Sequence, residues 1–165
     1  RGLVGSEMCI RDSPGAASGK VVFTSEEAER LNDMMQDTIL VRIETSPEDI
    51  QGMHAAKGIL TARGGMTSHA AVVARGMGRP CVSGSSEIDI NYDKKIFKTS
   101  STEIKEGDTI TIDGSTGRII LGTVPTVKPE ISGDFSKLMS WADNVRKLKI
   151  RTNSETPLDL SLIHI

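Results

Sequence analysis

A pair of glycines followed by a helix start is the sequence feature that most limits how this chain can fold. Gly64 and Gly65 can adopt backbone conformations with positive φ, and they leave space for an anion to approach the main chain. Thr67 or Ser68 can cap the following helix, which places His69 in its first turn. The unpaired N–H groups and the positive end of a helix favour a negatively charged group there. The pattern therefore suits a histidine that reacts with phosphate.

Each of these residues also has a simpler interpretation. A histidine at a helix start can be a capping or solvent-facing residue without any chemistry. Thr67 can serve only as structure, by capping the helix while its hydroxyl orients the phosphate or the ring. The arginines that flank the motif could contact phosphate or pair with a docking domain; they are Arg63, Arg75 and Arg79.

The other two histidines carry weaker signals. His54 lies near the end of a helix, where a surface histidine favours the negative pole, and His164 lies in the last residues of the chain. No Cys/His or His/Glu spacing fits a zinc site, and the two glycines lack the Gly-Lys-Ser/Thr ending of a P-loop. We therefore expect this chain to bind neither a metal nor ATP.

Composition excludes several other classes of protein. The net charge of −2 gives no reason to expect a nucleic acid or an anionic membrane as partner. The apolar runs fall short of the roughly 18 residues that a membrane span needs. With 37% hydrophobic residues but only 3% aromatic ones, the chain predicts one compact domain with an aliphatic core. Two cysteines, Cys9 and Cys81, do not form a disulfide framework.

Strand and helix signals alternate through the first half of the chain. The predicted elements are a strand at 20–23, a helix from the capping box at 24–27 to about 35, a strand at 38–42, a helix from Ser46 to about 56, a strand at 58–61, a helix at 68–77 and a strand ending at 83. This order predicts an α/β layer with helices packed on a sheet.

The second half of the chain changes character twice. Residues 103–122 predict a strand-rich hairpin around a glycine-bearing turn. Residues 123–133 contain two prolines and predict an extended, semi-stiff connector. Residues 135–148 return to apolar spacings of three and four, which predicts an amphipathic exit helix with an apolar face that docks elsewhere.

Residues 58–84 resemble the phosphohistidine signature of the phosphoenolpyruvate-utilising enzymes. The stretch Arg-Gly-Met-Gly-Arg-Pro-Cys at 75–81 is similar to the form found in the dikinases of that family, whereas the synthases usually continue differently. Residues 13–23, 44–50, 141–146 and 151–157 also resemble family segments, so the resemblance covers about residues 13–159.

The resemblance implies a β/β/α swivelling phosphohistidine domain with a C-terminal linker helix. We expect this domain at residues 13–122, the linker and exit helix at 123–150, and the start of a truncated barrel that binds phosphoenolpyruvate or pyruvate at 151–159. Residues 1–12 and 160–165 do not continue the family pattern, and we expect them to be a non-native leader and tail.

The resemblance also implies a function. His69 would be the catalytic residue: it would take a phosphoryl group from ATP at an ATP-grasp domain and pass it to pyruvate at a barrel of the same longer chain. The products would be phosphoenolpyruvate, AMP and diphosphate, with phosphate as co-substrate. Gly64, Gly65, Thr67 and Ser68 would support the phosphate. Mg²⁺ would be needed by the full-length enzyme but not bound here, and a homodimer would form through the missing barrel.

Two alternatives to that function stay open. A related synthase would use water instead of phosphate as acceptor, and a stand-alone phosphocarrier would lack the flanking domains. In plant members of the family, the threonine that corresponds to Thr67 is the target of a reversible regulatory kinase, so Thr67 is also a candidate phosphorylation site. The resemblance favours a cytoplasmic location, with chloroplast or glycosome as alternatives that depend on the organism.

Overall fold

The computed structural model describes residues 2–4, 10–13, 15–100, 102–125 and 133–147. The chain divides into two units, residues 1–126 and residues 127–165. Predictions made for Cys9, His164, Leu148 and the barrel start at 151–159 lie outside the described residues, as does the expected tail at 160–165.

The first unit is a mixed α/β structure with a large curled sheet and a small second sheet. Its strands are β1 (Gly2–Val4), β2 (Ile10–Ser13), β3 (Ala16–Val22), β4 (Thr38–Arg42), β5 (Gly58–Thr61), β6 (Cys81–Ser83), β7 (Asp89–Asn91), β8 (Ile96–Lys98), β9 (Glu103–Lys105), β10 (Thr109–Asp113) and β11 (Arg118–Leu121). Its helices are α1 (Ser25–Asp33), a short 3-10 helix (Pro47–Asp49), α2 (Ile50–Ala55) and α3 (His69–Gly76).

The large sheet has eight strands in the order β1-β11-β10-β3-β4-β5-β6-β2. Strands β3 to β6 are parallel neighbours, and helices connect them, as the alternating sequence signals predict. The bounds of β4 and β5 agree with the prediction, because both strands are buried runs of apolar and β-branched residues. The predicted α/β layer is confirmed.

Buried side chains of the parallel strands alternate between two hydrophobic clusters. One cluster lies with the helices and includes Val22, Ala28, Leu31, Leu40, Met53, Ala56, Ile59, Ala70, Ala74 and Cys81. The other lies with the remaining strands and includes Ala17, Val21, Phe23, Ile39, Val41, Leu60, Val82, Ile88, Ile90, Phe97, Ile104, Ile110, Ile112 and Ile119. Because both faces are covered, the carboxyl ends of β3 to β6 are the edge where loops can form a site.

Helix starts follow the predicted capping signals. Thr24 Oγ1 accepts the Glu27 N–H at 3.3 Å, which confirms the start of α1. Gly52 lets α2 approach α1 closely, since a Cβ at this position would lie 2.5 Å from the Ser25 backbone. The prediction of one continuous helix from Ser46 is corrected in part: its first turn is a 3-10 helix and α2 begins at Ile50.

Several strands differ from the sequence-based expectations. The predicted hairpin is confirmed as β10 and β11, but these strands extend the large sheet, because β10 pairs with β3. No element is predicted for residues 84–102, where β7 and β8 join β9 in a three-stranded antiparallel sheet. Residues 2–4 and 10–13 pair with β11 and β6. The expectation that residues 1–12 are a non-native leader stays a prediction.

The second unit contains helix α4 (Gly133–Val145), which the exit-helix prediction places at 135–148. Four of its apolar side chains are exposed, namely Leu138, Met139, Trp141 and Val145. Within the described parts of the chain, no helix combines the length and apolar character that crossing a membrane requires.

Candidate functional site

The candidate site lies where the adjacent parallel strands β4 and β5 end. Arg42 and Thr61 are paired at these ends, so the loops that follow them run side by side. The loop after β4 leads to the 3-10 helix, and the loop after β5 carries the glycine pair and leads to α3. Carboxyl ends of neighbouring parallel strands are the usual place for ligand sites in open α/β sheets.

The glycine pair forms the predicted turn, but only one of the two glycines needs positive φ. Gly64 has a φ of +133°, whereas Gly65 is not among the residues with positive φ. The Gly65 carbonyl accepts the Ser68 N–H at 2.8 Å, which closes the turn before α3. A Cβ at Gly64 would lie 2.9 Å from Ser68 Oγ, so a side chain at this position would press on the residue that starts the helix.

We expect Gly64→Ala to destabilise the fold by about 1–3 kcal/mol, because alanine would be strained at this φ and would displace Ser68. The unfolding midpoint should then fall by about 2–10 °C, measured by circular dichroism. Gly76→Ala is the matched control, since a Cβ there meets nothing within 4 Å and the residue ends α3. That variant should be neutral or slightly more stable. Equal midpoints for the two variants would contradict this reading of Gly64.

Ser68 is the residue that caps α3. Its Oγ accepts the Ala71 N–H at 3.4 Å, and His69 is the first residue of the helix. The predicted helix start is therefore confirmed, and the interpretation of Thr67 as the cap is wrong, because the turn through Gly65 places the cap one residue later. Thr67 is exposed at the surface of this turn.

The imidazole of His69 is half-buried and has one hydrogen-bond partner among the residues that the structure describes. Its Nδ1 lies 3.1 Å from Thr45 Oγ1, on the loop after β4. Among the described residues, no group hydrogen-bonds to Nε2, and the backbone N–H groups of His69 and Ala70 have no acceptor. If Nδ1 carries the proton and donates a hydrogen bond to Thr45 Oγ1, the lone pair resides on Nε2.

A buried carboxylate holds the loop that carries Thr45. Asp49 Oδ2 accepts the Ser46 N–H at 2.9 Å and Asp49 Oδ1 accepts the Ser25 hydroxyl at 2.9 Å, while the Arg42 guanidinium lies 3.3 Å away. Burial raises the pKa of Asp49, but the hydrogen bonds from Ser46 and Ser25 and the charge of Arg42 outweigh it, so the pKa lies below its usual value. Asp49 is therefore ionised at neutral pH.

Tyr92 holds the other end of the same loop. The Ile43 N–H donates to the Tyr92 hydroxyl at 2.8 Å, and the Arg42 guanidinium lies over the tyrosine ring at 5.6 Å from its centroid. Phe23 meets this ring edge to face at 6.3 Å. The loop after β4 is thus attached on both sides of Thr45, by Tyr92 at Ile43 and by Asp49 at Ser46.

The three arginines differ in their placement. Arg63 lies 3.9 Å from the Glu44 carboxylate in an exposed ion pair, which contributes little to stability. Arg75 donates to the Met66 carbonyl at 3.4 Å, on the turn that precedes the histidine. Arg79 donates to the backbone carbonyl of His54 at 3.0 Å, so its guanidinium is used to join α2 to the end of α3. A role of any of them in phosphate binding stays a prediction.

The described residues hold no cluster of three or more metal-ligating side chains, namely those of His, Cys, Asp or Glu. Asp49, the buried carboxylate nearest to His69 along the loop, has its oxygens engaged by Ser25, Ser46 and Arg42.

Thr45 and Asp49 are the site residues that sequence reasoning missed. Both lie in the segment at 44–50 that predicts a helix start, and the Asp49 side chain does complete the capping box of the 3-10 helix there. The contact of Thr45 with His69 follows from the pairing of β4 with β5, which brings residues 24 positions apart together. The predicted succession of strand, helix and strand over residues 38–61 is the signal that could have placed the two loops side by side.

Comparisons with known proteins identify the family to which this chain belongs. Residues 34–117, about half of the chain, match the family described as PEP-utilising enzyme, mobile domain. The chain is 55% identical over 159 residues to "Pyruvate, phosphate dikinase" of Rhizobium meliloti (strain 1021), covering 96% of this chain and 18% of that protein. It is 58% identical over 147 residues to "Pyruvate, phosphate dikinase" of Clostridium symbiosum, covering 89% of this chain and 17% of that protein.

A plant relative extends the same pattern. "Pyruvate, phosphate dikinase 1, chloroplastic" of Oryza sativa subsp. japonica is 56% identical over 147 residues, which cover 89% of this chain and 16% of that protein. The chain thus spans less than a fifth of the length of the curated relatives it matches. With the site at the ends of β4 and β5 and the family match across it, the chain belongs to the mobile-domain family of PEP-utilising enzymes.

Proposed function

We propose that this chain is the phosphoryl-carrier domain of a pyruvate, phosphate dikinase, with His69 as the residue that becomes phosphorylated. The observation that carries the proposal is the His69 ring itself: Nδ1 is engaged by Thr45, while Nε2 has no partner among the described residues and lies at the start of α3. The identity to dikinases over 89–96% of the chain supports the same assignment.

The chemistry would be nucleophilic catalysis on phosphorus. The Nε2 lone pair forms an N–P bond while the bond from phosphorus to the donor's leaving oxygen breaks, and the leaving group takes that electron pair. In the second half-reaction the acceptor oxygen forms its bond to phosphorus, the N–P bond breaks and the lone pair returns to Nε2. One difficult transfer is thereby divided into two easier ones.

The start of α3 supplies donors for the phosphoryl oxygens. The N–H groups of His69 and Ala70 are unpaired within the described ranges, and the positive end of the helix stabilises negative charge there. Gly64 and Gly65 leave the main chain accessible beside them, and Ser68 holds the helix start in place. Thr67 is exposed on the same turn, so its hydroxyl would orient the phosphate and would not cap the helix.

The carrier would swivel between sites on other domains of a longer protein. ATP would react at an ATP-grasp domain and pyruvate at a barrel, and neither site is expected on this chain. In this proposal the β/β/α swivelling domain spans residues 13–122, residues 123–150 form the linker and exit helix, and residues 151–159 begin the barrel through which the enzyme would form a homodimer. Extended proline-containing connectors provide defined joints for such motion.

The proposal predicts that the purified chain alone makes no phosphoenolpyruvate from ATP, phosphate, pyruvate and Mg²⁺, since both substrate sites would be absent. A chimera in which residues 13–122 replace the matching segment of the Rhizobium meliloti relative should still form phosphoenolpyruvate, measured by a coupled assay. Turnover by the chain alone would contradict the carrier role. A folded chimera without activity would do so as well.

A further inference from the structure

His69 is connected to the buried Asp49 carboxylate through two intervening residues. The ring Nδ1 lies 3.1 Å from Thr45 Oγ1, and Thr45 directly precedes Ser46 in the chain. The Ser46 N–H and hydroxyl lie 2.9 and 3.3 Å from Asp49 Oδ2. The carboxylate therefore fixes the backbone immediately next to the residue that contacts the ring.

Asp49 is itself held by elements outside this loop. Ser25, the first residue of α1, donates to Oδ1, and Arg42, the last residue of β4, lies within 3.3 Å. The Asp49 side chain is only 6% exposed. A buried charge is costly unless its partners are all in place, so the position of this carboxylate is closely determined by α1 and β4.

The arrangement exceeds what a helix start requires. An acidic residue that only completes a capping box needs the single bond from the N-cap N–H, which here is that of Ser46. Here the carboxylate also accepts a hydrogen bond from Ser25 of α1 and pairs with Arg42 of β4. On the other side of Thr45, the Tyr92 hydroxyl accepts the Ile43 N–H. The loop is attached on both sides of the one described residue that hydrogen-bonds to the His69 ring.

The direction of the Thr45 contact decides which ring nitrogen can react. Imidazole carries one proton in its neutral form, and the partner of one nitrogen determines which tautomer is favoured. A Thr45 hydroxyl that accepts a hydrogen bond from the Nδ1 proton leaves the lone pair on Nε2, whereas a hydroxyl that donates to Nδ1 leaves the proton on Nε2. If the hydroxyl moved by about 1 Å, the hydrogen bond to Nδ1 would weaken and the preference for one tautomer would be lost.

We propose that Asp49 is a positioning residue for His69: through Ser46 and Thr45 it holds the ring proton on Nδ1 and keeps the lone pair on Nε2. The proposal rests on the proposed function of His69 as phosphoryl carrier. In this proposal Asp49 does not contact the phosphoryl group. It acts on the nucleophile only through the loop that carries Thr45.

The test is a double-mutant cycle on the full chain with Asp49→Asn, Thr45→Val and both together. Nitrogen-15 NMR of the imidazole measures the tautomer of His69 without any phosphoryl donor. We expect Thr45→Val to move the proton population from Nδ1 toward Nε2 and Asp49→Asn to move it in the same direction. The double variant should match Thr45→Val alone, because Asp49 acts through Thr45.

The second readout is the rate at which acid-labile label appears on the chain from phosphoramidate, a small phosphoryl donor. We expect each single variant to lose about three- to tenfold, the worth of one positioning hydrogen bond, and the double variant to lose no more than Thr45→Val. Thr45→Ser should restore both the tautomer and the rate. Glu48→Gln is the matched control, since Glu48 is an exposed carboxylate on the same short helix.

Separate outcomes identify separate failures. A tautomer unchanged by Asp49→Asn, or a double variant in which the two losses multiply, would overturn the positioning role. If Asp49→Asn fails to fold, Ser25→Ala removes one bond to the carboxylate and must produce the same direction of tautomer shift for the proposal to stand. A wild-type chain that takes no label would refute the proposed function of His69, while the tautomer measurements would still decide the role of Asp49.

Discussion

His69→Asn should reduce acid-labile phosphorylation to background in a dikinase that contains this domain and its neighbours. Asparagine can still hydrogen-bond to Thr45 from the first turn of α3, but its amide nitrogen has no available lone pair to attack phosphorus. The measurement is label from phosphoenolpyruvate retained on the protein. A phosphoramidate on imidazole is labile in acid and stable in base, whereas phosphoserine and phosphothreonine behave in the opposite way, so the lability of the label identifies its site.

His54→Asn is the matched control for that experiment. His54 is exposed near the end of α2, and the contact that the structure gives it is from its backbone carbonyl to Arg79, which substitution leaves in place. We expect this variant to label like the wild type. Acid-labile label that persists in His69→Asn, with an unfolding midpoint close to that of the wild type, would show that another residue is the nucleophile.

Local signals carried the sequence-based prediction of the α/β layer. Strands β4 and β5 were predicted to the residue, since buried β-branched runs leave few alternative boundaries. The start of α1 and the cap at Ser68 depend on side chains within three positions of the bonds they make. In each of these cases the relevant interaction is local, so the sequence alone contains it.

Contacts that depend on strand order were not predicted. Thr45 reaches His69 only because β4 lies beside β5, and Asp49 gathers donors that come from α1, β4 and its own loop. The three-residue strands β7 and β8 are too short for an alternating pattern to stand out from a loop. Their pairing is established by β9 and by the core beneath them, which a local reading of residues 84–102 does not include.

Substitution of Thr67 should also have a large effect on phosphoryl transfer, because a charged side chain can be introduced on the turn before His69 without disturbing the fold. Its side chain is exposed, and it is Ser68 that caps α3, so substitution should leave the helix start intact. A carboxylate at position 67 would compete with the phosphoryl group for the free N–H groups of α3 and would repel it directly. A phosphate added by a regulatory kinase would act in the same way, with more charge.

Thr67→Glu should therefore slow phosphoryl transfer to His69 by about 30-fold or more. At an effective dielectric constant of about 40, unit charges about 6–8 Å apart repel by about 1 kcal/mol, and a phosphoryl group carries about two charges. Thr67→Gln is the matched neutral control and should lose only what removal of the hydroxyl costs, whereas Thr67→Ser keeps the hydroxyl and should remain close to the wild-type rate. The loss in Thr67→Glu should also shrink as salt is raised, because the side chain is exposed. Equal losses in the Glu and Gln variants, independent of salt, would show that bulk at this turn matters rather than charge, and would remove the physical basis for a phosphorylation switch at Thr67.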